Sequence, residues 1–154
     1  MNDHMRMSHE PSPSELGVRV KATQAVLNQR MAEVLRPLGL TVPQYACLSN
    51  LVDEPGITSS ELARRSFVSR QSMNVLLRGL ERTGLVKRDE GPRQRRDKAA
   101  QLTGPATILF AQADAAVQVV ARRMTAGLDK TQRAEPFALP TACCDALGEE
   151  QPLS

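Results

Sequence analysis

The stretch that decides the fold runs from Thr58 to Gly84 and reads TSSELARRSFVSRQSMNVLLRGLERTG. Thr58 and Glu61 have the spacing of a capping box, which predicts that a short helix begins here. After a brief interruption, Ser69 is a good N-cap for a second helix, and Gly84 is a typical residue for closing it. The stretch therefore predicts a helix, a tight turn and another helix.

The second of these helices has two opposed faces. At about 100° per residue, Met73 and three leucines share a narrow apolar arc that is expected to pack inward. The opposite arc suits base edges, because Arg pairs with guanine and Gln or Asn with adenine. In helix-turn-helix proteins the N-terminal end of this helix approaches the bases. The candidate major-groove residues are Ser69, Arg70, Gln71, Ser72, Asn74, Val75 and Arg78; an ordinary amphipathic surface helix is the alternative.

A basic hairpin is predicted directly after this helix. Residues 85–88 indicate a short strand, residues 98–102 a returning strand, and the loop between them is polar and charged. Arginines at such a tip can reach a minor groove, and the candidates are Arg93, Arg95 and Arg96. A solvated arginine turn is the alternative, but the order of helix, turn, helix and basic hairpin favours double-stranded DNA as the partner.

The charge is concentrated in the same region. Residues 64–98 contain eleven of the 20 basic residues and four of the 17 acidic residues, a net charge of +7, whereas the rest of the chain carries −4. Such a block is typical of a protein with an anionic partner.

Composition excludes several other classes. A chain of 154 residues suits one domain, and it contains no apolar run of about 18 residues that could span a membrane. The N-terminus lacks the apolar segment of a secretory signal, and three cysteines fit a reducing compartment, which together predict a cytoplasmic protein. The sequence contains no glycine-rich phosphate loop, no catalytic Ser/His/acid or Cys/His set and no zinc-ligand spacing. We therefore expect no enzyme activity, cofactor or metal.

Several segments, taken at their spacing, resemble the MarR family of winged helix-turn-helix repressors: Gly39-Leu-Thr41, Gln44-Tyr45, Pro55-Gly-Ile-Thr58, Glu61-Leu-Ala63, Leu80–Arg88, Pro92, Arg95-Arg96 and Leu102-Thr103. The resemblance covers about residues 14–135. It implies a mainly α-helical homodimer with a small β-hairpin wing and with N- and C-terminal dimerisation helices. It also implies that residues 69–78 enter the major groove and that Arg95 or Arg96 enters the minor groove.

The resemblance divides the chain into a mobile tail (1–13), a dimerisation helix (14–38), a winged helix-turn-helix DNA-binding region (39–103), and dimerisation helices with a C-terminal tail (104–154). Gly91 and Gln94 stand where the family has acidic residues, which predicts a more basic and more mobile wing. Pro136 and Pro140 lie inside the last helical segment. We expect them to kink or break it and to shift or weaken the dimer.

Many MarR-like proteins release DNA when a small aromatic or anionic effector binds, and some respond to oxidation of cysteine. Tyr45 and Cys47 are the candidates for an effector pocket or a redox site, with buried packing as the alternative for Cys47. The rings available to stack on an effector are Tyr45, Phe67, Phe110 and Phe137, and Cys143-Cys144 is a candidate for thiophilic metal or oxidant sensing.

The sequence thus predicts a homodimeric, sequence-specific DNA-binding regulator. We expect a repressor that binds a pseudo-palindromic operator and is released by a small ligand. The alternative is a dimeric winged-helix interaction module without specific DNA readout.

Overall fold

The computed structural model describes residues 12–88 and 100–148, which are mostly helical. The elements are α1 (Pro13–Leu35), a 3-10 turn (Arg36–Leu38), α2 (Val42–Asp53), α3 (Ser59–Arg65), α4 (Arg70–Arg82), β1 (Val86–Arg88), β2 (Ala100–Leu102), α5 (Gly104–Thr125) and α6 (Lys130–Gly148). The described residues up to Val117 form one compact unit, and those from Gln118 form a second. The predicted fold class, mainly α with a β-hairpin, is confirmed.

Helix starts are set by local side-chain chemistry. Ser12 and Thr41 each form a complete capping box, with Glu15 and Gln44 as the reciprocal partners. Thr58 Oγ1 accepts a hydrogen bond from the Glu61 amide at 3.2 Å. The carboxylate of Glu61, however, accepts hydrogen bonds from two arginines of α3 instead of completing the predicted box. Of the two hydrogen bonds in the capping box predicted at Thr58, one is therefore present.

Three helix ends close with the same pair of backbone hydrogen bonds. In each, the amide of a left-handed residue bonds to the carbonyl three residues before it, and the next amide bonds to a carbonyl five residues before it. The left-handed residues are Gly39 (φ 71°), Gly84 (φ 73°) and Phe67 (φ 52°). A residue with a Cβ adopts this conformation at a cost of about 1–2 kcal/mol, which glycine avoids.

The core of the first unit lies among α2, α3 and α4. Its fully buried side chains are mostly leucines: Leu35, Leu48, Leu51, Leu62, Met73, Leu77 and Leu80. The inward face predicted for α4 is correct, with Leu76 partly buried beside the others. Burial of this apolar stripe against α2 and α3 fixes which face of α4 is left to solvent.

The hairpin and the start of α5 are tied to the end of α4. β1 and β2 are antiparallel, with Val86 opposite Leu102 and Arg88 opposite Ala100. Thr103 follows β2 directly, and its Oγ1 donates to the Gly84 carbonyl at 2.7 Å. The same oxygen accepts from the Ala106 amide at 3.4 Å, as expected for a residue that caps α5.

One expectation for the C-terminal half, that Pro136 and Pro140 would break the last helix, was wrong. α6 runs without a break from Lys130 to Gly148, through both Pro136 and Pro140. Each proline removes one backbone donor, but the remaining ladder continues. Pro136 frees the carbonyl of Gln132, and Gln132 is exposed, so water can hydrate that carbonyl. In α5, Ala106, Ala113 and Val117 are buried, whereas Ile108, Val119 and Met124 are exposed.

Candidate nucleic-acid interface

The solvent-facing side of α4 carries the residue types predicted for base contact. Arg70, Gln71 and Arg78 are exposed, and Val75 is 64% exposed between them. Asn74 is half-buried at the edge of this face. The structure therefore places these predicted residues on one continuous surface, and they remain candidates for DNA contact.

The serines at the start of α4 build its N-terminus. Ser69 Oγ accepts a hydrogen bond from the Ser72 amide at 3.1 Å and donates to Ser72 Oγ at 2.9 Å. Both serines are exposed. The Ser72 hydroxyl keeps its own proton, so it can still donate to a phosphate oxygen next to the positive end of the helix.

Arginines of α3 extend the basic surface beyond the predicted residues. Glu61 binds the guanidinium groups of both Arg64 and Arg65, and Arg65 also binds Glu54. These bonds hold the pKa of Glu61 down to about 2, because its charged form gains two partners. Arg64 stays exposed and lines a groove of 390 Å³ between α3 and α4 together with Arg70. Sequence reasoning had missed Arg64, although the i, i+3 spacing from Glu61 indicates the pairing.

Phe67 is a second residue that the site prediction missed. It occupies the turn between α3 and α4 and is 85% exposed. It had been considered only as a ring for stacking on an effector, and its place in the turn separates it from Tyr45, which is in the core. Its sequence neighbours are Ser66, whose hydroxyl is buried without a partner, and exposed Val68.

The predicted wing is seen at its base. β1 and β2 form the expected antiparallel pair, and Arg88, at the end of β1, lies with its Nε 3.5 Å from Glu81 of α4. The candidate wing residues Arg93, Arg95 and Arg96 lie outside the described residues. From Ser59 to Arg88 the chain has seven basic residues and two acidic residues, so α3, α4 and β1 alone carry a strong positive charge.

Tyr45 is a buried link between α2 and α5. Its hydroxyl donates to Asp114 Oδ1 at 2.8 Å, and its ring stacks on Phe110 with centroids 5.6 Å apart. Burial and the hydrogen bond to the carboxylate both raise the pKa of the phenol. Two of the four rings considered for an effector thus stack on each other, and an effector role for Tyr45 stays a prediction.

The three cysteines occupy contrasting environments. Cys47 is fully buried in the core, and burial raises the pKa of its thiol to about 11. The thiol is therefore protonated at neutral pH, which disfavours reaction with oxidants because the thiolate is the reactive form. Cys143 and Cys144 are both exposed on α6.

A second groove lies where α1 meets α2. It measures 610 Å³ and is lined by Asn28, Gln29, Ala32, Arg36, Gly39, Leu40, Thr41, Val42 and Pro43. Arg36 supplies a cation at its wall, and the neighbouring side chains are mixed polar and apolar. Within residues 12–88 and 100–148, no helix is long and apolar enough to cross a membrane.

Comparison with known proteins identifies the family. Residues 38–97 match the MarR family. The chain is 38% identical to the HTH-type transcriptional repressor Rv2887 of Mycobacterium tuberculosis over 120 residues, which cover 78% of this chain and 86% of that repressor. A crystal structure of Rv2887 with salicylic acid superposes with a TM-score of 0.66 at 34% identity, covering 89% of this chain and 99% of that one. A structure of Rv2887 with DNA has the same TM-score and identity, with 83% and 96% covered. The chain belongs to the MarR family of winged helix-turn-helix transcriptional regulators.

Proposed function

We propose that this protein is a homodimeric repressor that binds a pseudo-palindromic DNA site through α4 and leaves it when a small aromatic anion binds. The observation that carries the proposal is the exposed face of α4, where Arg70, Gln71, Val75 and Arg78 stand opposite a fully buried apolar stripe. The relative Rv2887, named a transcriptional repressor, has been crystallised with DNA and with salicylic acid. Both partners are carried over here as part of the proposal.

The proposed division of labour on DNA follows from side-chain chemistry. Arg70 and Arg78 have the donor geometry for guanine, Gln71 and Asn74 suit adenine, and Val75 suits the thymine methyl group. Ser69 and Ser72, at the positive end of α4, suit a phosphate. Arg93, Arg95 and Arg96 of the wing complete the proposed contacts in the minor groove.

Self-association is supported by the first helix. The apolar side chains Leu16, Val18, Val20 and Val26 are all exposed in the single chain. We assign residues 14–38 and 104–154 to dimerisation and 39–103 to DNA binding. A two-fold dimer would place its recognition helices about 34–36 Å apart, one turn of DNA. The protein acts in the cytoplasm, where its DNA lies, as a regulator and not as a catalyst.

The proposed effector is an aromatic carboxylate. The groove beside Arg36 supports this class of ligand, because a guanidinium binds a carboxylate in a bidentate way and the apolar walls suit a ring. Its position between α1 and α2 joins a dimerisation helix to the DNA-binding region. A ligand that binds there more tightly in the DNA-free state shifts the dimer away from DNA.

The test is a mobility-shift assay with the DNA upstream of the gene. The folded dimer should retard this DNA at low salt, and salicylate should release it. Arg78→Ala should cost about 1–3 kcal/mol of binding free energy and relax the preference for one base, whereas Arg122→Ala, which removes the same charge from α5, should do neither. A folded dimer that retards no DNA at low salt would contradict the proposal and favour the interaction module.

A further inference from the structure

Phe67 occupies a position where backbone geometry favours glycine. Within the described residues it is the one non-glycine residue with positive φ. It closes α3 with the same two backbone hydrogen bonds that Gly39 and Gly84 make at their helix ends. At positions 39 and 84 the chain has glycine, which this motif prefers, whereas at position 67 it has a large aromatic side chain. The backbone conformation therefore does not account for phenylalanine at this turn.

Packing does not account for it either. The ring is 85% exposed, so most of its apolar surface meets water. Tyr45 and Phe110, in contrast, are stacked on each other at the core. The backbone of Phe67 is thus strained, and its ring gains little from the fold of this chain. A partner outside the chain is the remaining source of stabilisation for the ring.

The surroundings of Phe67 identify that partner. Arg64 and Arg70 flank it three residues away on either side, and both line the groove between α3 and α4 with Val68, which is 42% exposed. Ser69, two residues further on, opens the candidate DNA-reading face of α4. The exposed ring is thus continuous with a basic surface whose proposed partner is DNA.

We propose that Phe67 is a DNA-contacting residue whose ring packs on a deoxyribose at the edge of the major groove. The proposal rests on the proposed function. The sugar offers C–H groups between the charged phosphates, so it is the apolar surface available along the backbone. Such a contact displaces no counterion and reads no base, because sugar contacts position the protein and carry no direct sequence information.

The experiment measures DNA affinity as a function of salt for wild type and two variants. The probes are a duplex selected by the wild-type protein from a random pool and an unrelated duplex of equal length. Phe67→Asn removes the ring but tolerates the left-handed backbone, and it should lower the affinity for both duplexes roughly tenfold. The slope of log affinity against log salt should stay unchanged, since no ionic contact is lost. Phe67→Tyr keeps the ring and should retain wild-type affinity.

Controls separate a DNA contact from a role in folding. Phe67→Gly should unfold at the same or a higher denaturant concentration than wild type, yet show the same loss of DNA affinity. Val52→Asn, which removes an exposed apolar side chain from α2, should bind as wild type does. Equal affinity of Phe67→Asn and wild type would overturn this inference alone, as would a loss accompanied by a flatter salt slope. A wild-type protein that enriches no duplex from the random pool would overturn the proposed function and this inference with it.

Discussion

The helix-turn-helix and the first helix of this chain differ in how much of their apolar surface the chain itself covers. α2, α3 and α4 pack against one another through leucines, and most of these leucine side chains are fully buried. α1, with 23 residues, has Leu35 as its one fully buried residue. The first region therefore folds against its own chain, whereas the first helix needs a second chain to cover its apolar residues.

The largest effect is expected where the helix-turn-helix buries most. Leu77→Ala should lower the free energy of unfolding by about 2–5 kcal/mol, because it leaves a cavity in the packed core. Val75→Ala, on the opposite face of the same helix, should change it by less than about 0.5 kcal/mol. Urea unfolding at equal protein concentrations measures both, and similar losses for the two variants would contradict the assigned orientation of α4.

A smaller effect is expected in α1, and on association instead of folding. Val26 is 59% exposed in the single chain. Val26→Asp should raise the dimer dissociation constant at least about tenfold, because a carboxylate would be buried in the dimer without a partner. Sedimentation equilibrium measures this constant.

The control for the association experiment carries the same new charge. Asn28→Asp places it about 200° around the helix from position 26 and at least about 80° from the exposed apolar residues at positions 16, 18 and 20, so it should leave the dimer intact. Unchanged association of Val26→Asp would remove this face of α1 from the dimer interface.

The smallest effect concerns the pH dependence of stability. The pKa of Glu61 is about 2 in the folded chain and about 4.5 ordinarily, so folding favours its charged form. Its contribution is complete above pH 4.5 and is lost as the pH falls towards 2. Glu61→Gln should therefore flatten the fall in stability across this window, as followed by acid titration of the circular dichroism signal.

Glu33 of α1 provides the matched comparison for Glu61. Its pKa is lowered mainly by a hydrogen bond from one arginine, Arg30, whereas Glu61 binds two. Glu33→Gln should accordingly flatten the acid titration less. An equal or larger effect of Glu33→Gln would show that the second arginine bound to Glu61 adds nothing to the pH-dependent stability.

Local chemistry made much of the fold predictable. The N-cap of Ser69 and the closing Gly84 each act within a few residues, so the bounds of α4 could be derived from the sequence. The apolar period of α4 likewise predicted which side chains face solvent. The rule that proline breaks a helix failed in α6, because the donors missing at Pro136 and Pro140 do not outweigh the rest of the hydrogen-bond ladder.

Other features had no local signature. The hydrogen bond from Tyr45 to Asp114 joins residues 69 apart, and nothing in either neighbourhood indicates it. Phe67 was missed as a site residue because the helix end that it closes is recognised in sequences by glycine. Local sequence patterns therefore failed in two cases. They do not show which distant segments pair, and they do not identify a common motif in which an unusual residue replaces the usual one.

The hydrogen bond from Thr103 to the Gly84 carbonyl has a consequence for regulation. It fixes the end of α4 to the start of α5, and the Thr103 amide adds a bond to the Leu85 carbonyl at 3.1 Å. Each recognition helix is thereby tied by hydrogen bonds to the residue that precedes α5. We therefore expect an effector to change the distance between the two copies of α4 in the dimer. The position of each α4 relative to the start of its own α5 should stay unchanged.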